Sequence, residues 1–253
     1  MWHNPRLMNL TASALYGVAA FIVFCIAVIA LVNSHLFPLK KLQLRGELAH
    51  VDAAAVEQVL DGRVKGNFFG VDLLAVREAL ESIPWVRRVE LRRQWPDTLV
   101  ATVEEHRPLA RWSEQELVNT YGERFQGRLD AELPRFVGPA GREATMTAHY
   151  RRFAELVAPL GFEIARLELS ARQAWRLQLV GKDDARLTVM LGRDQTPNDA
   201  LNRLRRFVAL YPHALAQLGG NVGHVDLRYP NGFALRVPGL EQFETQHKKA
   251  GSV

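Results

Sequence analysis

The sequence predicts an α+β protein in which a single membrane-spanning helix precedes a small β-α-α-β-β unit and a larger strand-rich unit with two helices. Three observations support this prediction. No Asp, Glu, Lys or Arg occurs between Arg6 and Lys40. Two short amphipathic segments with capping residues then precede a pair of alternating strands. The rest of the chain contains further alternating segments separated by turn residues.

The composition limits the class of protein. Of the 253 residues, 48% are hydrophobic and 23% are charged, which excludes disorder of the whole chain. The net charge of +5 comes from 32 Lys and Arg against 27 Asp and Glu. This excess is too mild for a dedicated nucleic-acid-binding protein. Cys25 is the one cysteine in the sequence, so a disulfide framework and a multi-cysteine metal cluster are excluded.

The apolar segment near the amino terminus is long enough to cross a membrane. Its core runs from Ala12 to Val32, and a helix of this length rises about 1.5 Å per residue, which matches a hydrocarbon core of about 30 Å. A cleaved signal peptide has a shorter apolar region and ends in an Ala-x-Ala-like site, which residues 31–35 lack. The sequence therefore predicts a short head at residues 1–10 and an uncleaved anchor at residues 11–34.

Charge counting does not decide the orientation of this anchor. The head carries Arg6, and the other flank carries Lys40, Lys41 and Arg45. The positive-inside rule taken literally places the large domain in the cytoplasm, but the rule weakens for long translocated domains.

The β-α-α-β-β unit is predicted for residues 38–107. Leu39–Arg45 alternates weakly and indicates a strand, and Asp52 and Asp72 each stand at the N-cap of a helix. Two strands with apolar alternation follow, and Trp95-Pro96-Asp97 supplies the turn between them.

The strand-rich unit is predicted for residues 108–237. One helix is expected at about Met146–Leu160, and a second is expected to open with Thr196 as N-cap and Pro197 at its first position. The unit is expected to end in two strands, Val225–Tyr229 and Phe233–Val237. Residues 238–253 are polar and without periodicity, so we expect a disordered tail.

Motifs for catalysis and for metal or cofactor binding are missing from the sequence. It contains no Gly-x-Ser-x-Gly, Ser-x-x-Lys, His-Glu-x-x-His, Walker or Gly-x-Gly-x-x-Gly pattern. Glu104 and Glu105 are neighbours in a predicted strand, so they point to opposite faces and cannot easily share a substrate. The basic and aromatic run from Trp85 to Trp95 is compatible with RNA or phospholipid headgroups, but its aromatics bracket the strand, which favours an exposed arginine face. We expect no catalytic residue, no metal, no cofactor and no nucleic-acid partner.

The last predicted hairpin is the best candidate for a binding surface. A strand near the chain end often lies at a sheet edge, where it can accept an added strand from a partner. The alternative interpretation is a solvated edge that Arg228 and Arg236 protect, and the residue pattern alone leaves both open.

Several motifs resemble one bacterial family in their order and spacing. They are Phe68-Phe69-x-Val71-Asp72, Pro84-Trp85-Val86, Arg92-Arg93-x-Trp95-Pro96-x-Thr98-Leu99, Glu104-x-His106-x-Pro108-x-Ala110-x-Trp112 and Val225-Asp226-Leu227-Arg228-Tyr229-x-Asn231-Gly232. Together they resemble the cell-division family FtsQ, called DivIB in Gram-positive bacteria, over nearly the whole chain.

The resemblance implies that the β-α-α-β-β unit is a POTRA domain. It also implies a single-pass type II protein of the cell inner membrane, with its C-terminal domain in the periplasm and a position at the division septum. Members of the family are non-catalytic scaffolds of the divisome that join early division proteins to FtsB and FtsL and, indirectly, to septal peptidoglycan synthases. The POTRA domain and membrane helix are implied to contact other divisome proteins.

The resemblance also implies a site, because family members bind FtsB by strand addition at the carboxy-terminal end of the β domain. The matching residues here are Arg228, Tyr229, Gly232, Phe233, Ala234, Leu235, Arg236 and Val237, with Arg172 and Trp175 expected nearby. The alternatives are a POTRA-containing component of envelope assembly or secretion, and an unrecognised peptidoglycan hydrolase.

Overall fold

The chain forms two compact units, Met1–Glu105 and His106–Val253. The computed structural model describes eight stretches of the chain. These are residues 5–32, 38–62, 67–182, 185–196, 198–218, 223–229, 232 and 234–236. The tail predicted for residues 238–253 lies outside the described residues.

The first unit contains the anchor helix and the predicted β-α-α-β-β order. Its elements are α1 (Pro5–Val32), β1 (Lys41–Arg45), α2 (Ala53–Leu60), α3 (Leu73–Glu81), β2 (Val86–Gln94) and β3 (Thr98–Glu105). The predicted order of elements is therefore confirmed.

Helix α1 has the length and composition of a membrane span over Asn9–Leu31, which is 23 residues. Its large apolar side chains, such as Phe21 and Ile26, are exposed and do not pack on the other described residues. A helix of this composition would be unstable in water, whereas the hydrocarbon core of a bilayer solvates its apolar surface. Residues 33 and 34, the end of the predicted anchor, lie outside the described residues.

The two short helices begin where their capping residues predict. The carboxylate of Asp52 accepts the N–H of Ala54, and that of Asp72 accepts the N–H groups of Leu74 and Ala75. Each cap satisfies donors that have no partner inside the helix. Both helices pack on the sheet, and the buried cluster they share with it includes Val56, Leu60, Val76, Leu80, Val89, Leu99, Ala101 and Val103.

The sheet of this unit has the strand order β1-β3-β2. Strand β1 is parallel to β3, and β2 is antiparallel to β3, with Gln94 opposite Thr98 across the turn. Gly46, which follows β1, has φ +138°, and a Cβ there would come within 2.2 Å of the Val103 carbonyl oxygen. This close approach requires glycine at the end of β1.

The second unit contains the remaining elements. In chain order they are β4 (Pro108–Arg111), β5 (Glu116–Asn119), β6 (Arg124–Gln126), β7 (Arg135–Val137), α4 (Glu143–Val157), a 3₁₀ turn (Ala158–Leu160), β8 (Glu163–Leu169), β9 (Ala174–Val180), β10 (Arg186–Arg193), α5 (Asp199–Leu218), β11 (His224–Asp226) and β12 (Ala234–Arg236).

These strands form one sheet in the order β12-β11-β10-β9-β8-β7-β4-β5-β6. Helix α4 connects the parallel neighbours β7 and β8, and helix α5 connects the parallel neighbours β10 and β11. Both crossovers move across the sheet in the same direction, so the right-handed rule places both helices on the same face. They share one buried cluster with the sheet, which includes Phe153, Phe207, Leu177, Val189 and Val225. The strand-rich unit with two helices is therefore confirmed.

Both helices of this unit start at positions other than those predicted. Helix α4 begins at Glu143 and not at Met146, and its last predicted turn is the 3₁₀ turn. Helix α5 begins at Asp199, after Asn198 with φ +70°, so Thr196 is not its N-cap. The Asp194 carboxylate instead accepts the Ala200 N–H at 2.6 Å. Pro197 lies outside the described residues.

Glu105, the last residue of β3, fastens the loop between β1 and α2. Its carboxylate accepts the N–H groups of Ala49 at 3.1 Å, His50 at 3.0 Å and Val51 at 2.8 Å. Burial raises the pKa of Glu105, but these hydrogen bonds and that of the His50 ring together outweigh it and lower the pKa below its ordinary value. Glu104 points elsewhere and pairs with Arg87 at 3.0 Å, as strand alternation predicts.

Replacing Glu105 by alanine should open the loop that it fastens. We expect Glu105→Ala to cost about 1–3 kcal/mol in the free energy of unfolding, since hydrogen bonds to a charged acceptor are lost. Amide hydrogen exchange at Ala49, His50 and Val51 should become faster, and mass spectrometry of this segment measures the change.

Glu104→Ala is the matched control, because its exposed ion pair contributes no more than about 1 kcal/mol. It should leave exchange at residues 49–51 unchanged. Since the pKa of Glu105 is lowered in the folded chain, its contribution is present above pH 4.5 and is lost as the pH falls through the folded-state pKa. Equal exchange in both variants would contradict the role of Glu105.

Candidate partner-binding edge

Strand β12 is the last strand of the large sheet. Within the part of the chain that the structure describes, its one neighbour is β11, to which it is antiparallel with Val225 opposite Leu235. A strand in this position can pair on its other side with a strand from another chain.

The hydrogen bonds around β11 decide which backbone groups of β12 point outward. Thr188 donates to the Gly223 carbonyl, and Leu227 donates to the Met190 carbonyl, so the backbone groups of Val225, between them, also point toward β10, whereas the Gly223 N–H donates to the Arg236 carbonyl of β12 at 3.2 Å. Residues 224 and 226 therefore direct theirs toward β12, where they lie opposite Arg236 and Ala234. The N–H and C=O of Leu235 consequently point away from β11.

The side chains of the hairpin separate into a packed set and an exposed set. Leu235 is half-buried and packs against the main cluster, on the same face as Val225. Tyr229 is 55% exposed, and Ala234, Arg236 and Gly232 are also exposed. Phe233 and Val237, which the sequence also assigned to the site, lie outside the described residues.

Arg228 forms an ion pair within its own segment. Its Nε and Nη2 atoms donate to the two carboxylate oxygens of Asp226 at 2.9 and 2.6 Å. The hydrogen bonds from Arg228 are the main reason that the pKa of Asp226 lies below its ordinary value, although burial acts in the opposite direction. The Arg228 side chain remains 55% exposed, while that of Asp226 is 12% exposed. The pair therefore orients a cation toward the surface.

Gly192 makes room for this arginine. It has φ +77° at a bulge in β10, and a Cβ there would lie 2.9 Å from Cγ of Arg228. Sequence reasoning did not assign Asp226 or Gly192 to the site. The spacing of Asp226 and Arg228 was a usable signal, because residues two apart in an extended segment lie on one face.

The structure brings Arg172 to the same place as Arg228. Both line a cavity of about 390 Å³, together with Arg193 and Arg203, which the sequence did not assign to the site. Such a concentration of guanidinium groups suits an acidic peptide segment, since arginine pairs with carboxylates through two N–H groups.

Trp175 lies nearby but is part of the core. It is 4% exposed, its ring stacks on His149 at 4.4 Å, and its indole N–H donates to Asp194 at 3.2 Å. It also lines a cavity of about 260 Å³ that Arg228 borders. Trp175 is therefore a core residue that packs beneath this region, and little of its surface is available to a partner.

Replacing Asp226 by asparagine should release Arg228. Because the pKa of Asp226 is lowered in the folded chain, the pair is fully formed above the ordinary pKa of 3.8 and is lost as the pH falls through the folded-state value. We expect Asp226→Asn to shift the nitrogen resonance of the Arg228 Nε–H group at neutral pH.

Acidification of the unmodified chain should move the same resonance toward its position in the variant. Asp226→Glu keeps the charge but changes the reach, so it should lie between the two. A resonance that is the same in the unmodified chain and in Asp226→Asn at neutral pH would show that the pair does not form.

Comparison with known proteins agrees with this architecture. The profile of the family described as "POTRA domain, FtsQ-type" matches residues 37–106, and that described as "Cell division protein FtsQ/DivIB, C-terminal" matches residues 110–228. The two matches cover the β-α-α-β-β unit and the strand-rich unit as far as Arg228. The β-α-α-β-β unit is thus a POTRA domain.

Curated relatives match over almost the full length. "Cell division protein FtsQ" of Burkholderia pseudomallei is 40% identical over 243 residues, which are 95% of this chain and 96% of the relative. The protein of the same name from Bordetella pertussis is 38% identical over 273 residues, 99% of this chain and 98% of the relative. That of Nitrosospira multiformis is 36% identical over 242 residues, 93% and 99% respectively. With these matches and its anchor helix, POTRA domain and strand-rich unit, the chain belongs to the FtsQ family of membrane-anchored cell-division proteins.

Proposed function

We propose that the chain is a non-catalytic scaffold of the divisome that binds FtsB by adding a strand of FtsB to the outer side of β12. The observation that carries this proposal is the outward direction of the Leu235 N–H and C=O at the end of the sheet. Strand addition supplies affinity through such main-chain groups and specificity through the side chains beside them. Through FtsB the chain connects early division proteins to FtsL and, indirectly, to septal peptidoglycan synthases.

The side chains around the edge support an acidic partner segment. Arg228, Arg172, Arg193 and Arg203 border one cavity, and Arg236 is exposed on β12. Carboxylates are present here too, but Asp226 is paired with Arg228, and Asp194 accepts hydrogen bonds from Trp175 and Ala200. The exposed ring of Tyr229 adds the kind of aromatic area that often contributes most of the binding energy at interfaces.

Membership of the family supports a proposed placement in the cell. The chain is a single-pass type II protein of the inner membrane, with residues 1–10 in the cytoplasm and the POTRA and β domains in the periplasm at the division septum. The POTRA domain, assigned to residues 38–107, and the anchor, assigned to residues 11–34, contact other divisome proteins. The β domain comprises residues 108–237.

The described residues hold no group of three or more His, Cys, Asp or Glu side chains arranged for a metal ion.

Replacing Leu235 by proline tests the strand addition. The proline removes an outward N–H and leaves the bonds between β11 and β12 in place, because those involve residues 234 and 236. We expect the affinity of the full-length chain for the FtsB–FtsL pair to fall about fivefold to tenfold from the lost hydrogen bond. Biolayer interferometry with the chain in lipid nanodiscs measures this change.

Leu235→Ala is the matched control, since it shortens the same half-buried side chain but keeps the N–H. It should bind more tightly than Leu235→Pro. Arg236→Glu tests the charge preference and should weaken binding more at low salt than at high salt. Unchanged binding of both Leu235→Pro and Arg236→Glu would refute the proposed site.

Localisation tests the wider role. A fluorescent fusion of the full chain should form a band at midcell in dividing cells, and the band of a fluorescent FtsB should be weaker when the chain carries Leu235→Pro than when it carries Leu235→Ala. A uniform envelope signal from the chain would refute the scaffold proposal and favour a general component of envelope assembly.

A further inference from the structure

Four exposed residues, two lysines and two aromatic residues, lie at one end of the POTRA domain. We call this the tip, and it consists of Lys40, Lys41, Phe69 and Trp95. The N–H groups of Lys40 and Lys41 donate to the Asp97 carbonyl at 2.9 and 3.3 Å. The turn between β2 and β3 is thereby joined to the first residues of β1.

Two large aromatic side chains of the tip are exposed. Trp95 is 73% exposed, and Phe69 is 43% exposed. Arg93, two residues before Trp95, donates to the carbonyls of Phe69 at 3.3 Å and Val71 at 3.1 Å. The two aromatic residues are thus carried by adjacent segments, and a group of exposed large apolar side chains is a feature of interaction surfaces.

The chain length to the anchor limits how far the tip can lie from the membrane. Eight residue steps separate Val32, the last residue of α1, from Lys40. Fully extended, they span at most about 28 Å. The opposite end of the sheet, at Glu105, lies about 23 Å farther along β3, so the tip is the end that the anchor holds near the bilayer.

The chemistry of the tip suits a lipid surface. Tryptophan side chains concentrate at the membrane interface, and lysine beside a span is attracted to anionic headgroups. The nearby carboxylates of Asp97 and Asp72 already accept hydrogen bonds within the domain. Asp97 accepts the Thr98 hydroxyl at 3.0 Å, and Asp72 caps α3.

We propose that the tip of the POTRA domain rests on the surface of the bilayer that α1 spans, with Trp95 and Phe69 inserted at the headgroup level and Lys40 and Lys41 beside anionic lipids. This contact fixes the direction of the three-stranded sheet relative to the membrane, so that β3 leads away from the bilayer. It is independent of partner binding at β12.

Depth-dependent quenching tests the contact in the full-length chain. Cys25 is replaced by serine, and one cysteine is introduced for a fluorophore, either at Gln94 beside the tip or at Ala49 at the opposite end of the sheet. Both positions are exposed. The chain is reconstituted in vesicles whose lipids carry a quencher near the headgroup. We expect quenching at position 94 and little at position 49, and equal quenching at both would overturn the proposal.

Two double variants distinguish insertion of the aromatic side chains into the bilayer from a position that is only close to it. Trp95→Ser with Phe69→Ser, in the chain labelled at position 94, should remove most of the quenching. Lys40→Gln with Lys41→Gln should reduce it in vesicles that contain phosphatidylglycerol but not in vesicles of phosphatidylcholine alone. If the label stays fully quenched in the serine variants, the short connection alone holds it there and the proposal is wrong.

Discussion

The last strand of an open sheet has a neighbour on one side, and its outward N–H and C=O groups need water or another strand. Within the described residues β12 holds this position at one end of the large sheet and β6 holds it at the other, and the rest of the strand-rich unit determines how β12 is presented. The crossover through α5 makes β11 parallel to β10, and the pairing with β10 occupies the backbone groups of alternate residues in β11. This alternation leaves the groups of residues 224 and 226 for β12 and turns those of Leu235 outward.

Such an edge is also a liability, because a long, flat and apolar edge strand pairs with any exposed strand. Within the described residues β12 is three residues long, and the exposed Arg236 is the last of them. Three residues supply few main-chain hydrogen bonds, each with a net contribution of about 1 kcal/mol. The short ladder alone therefore gives weak binding, and a specific partner must add contacts with Tyr229 and the arginine-lined cavity.

Much of the fold could be predicted because its signals are local. The caps at Asp52 and Asp72, and the alternation of Leu99, Ala101 and Val103, each depend on residues a few positions apart. The predicted start of α5 was wrong, because the capping carboxylate comes from Asp194, six residues before Ala200. Strands β4 and β7 give no periodic signal in the sequence, since three or four residues are too few to show a period. The grouping of Arg172, Arg193 and Arg203 depends on tertiary folding, which spacing in one sequence does not reveal.

The ion pair of Arg228 and the other arginines of the cavity contribute to binding in different ways. A flexible arginine loses side-chain entropy when a partner fixes it, which costs up to about 2 kcal/mol. Asp226 has already fixed Arg228 through hydrogen bonds from its Nε and Nη2 atoms, and Gly192 provides the space for its stem. Part of that cost is therefore met during folding, and the exposed part of the guanidinium is oriented before a partner arrives. The same pair also reduces the net positive charge beside β12, so the cavity depends on its other arginines to attract an acidic segment.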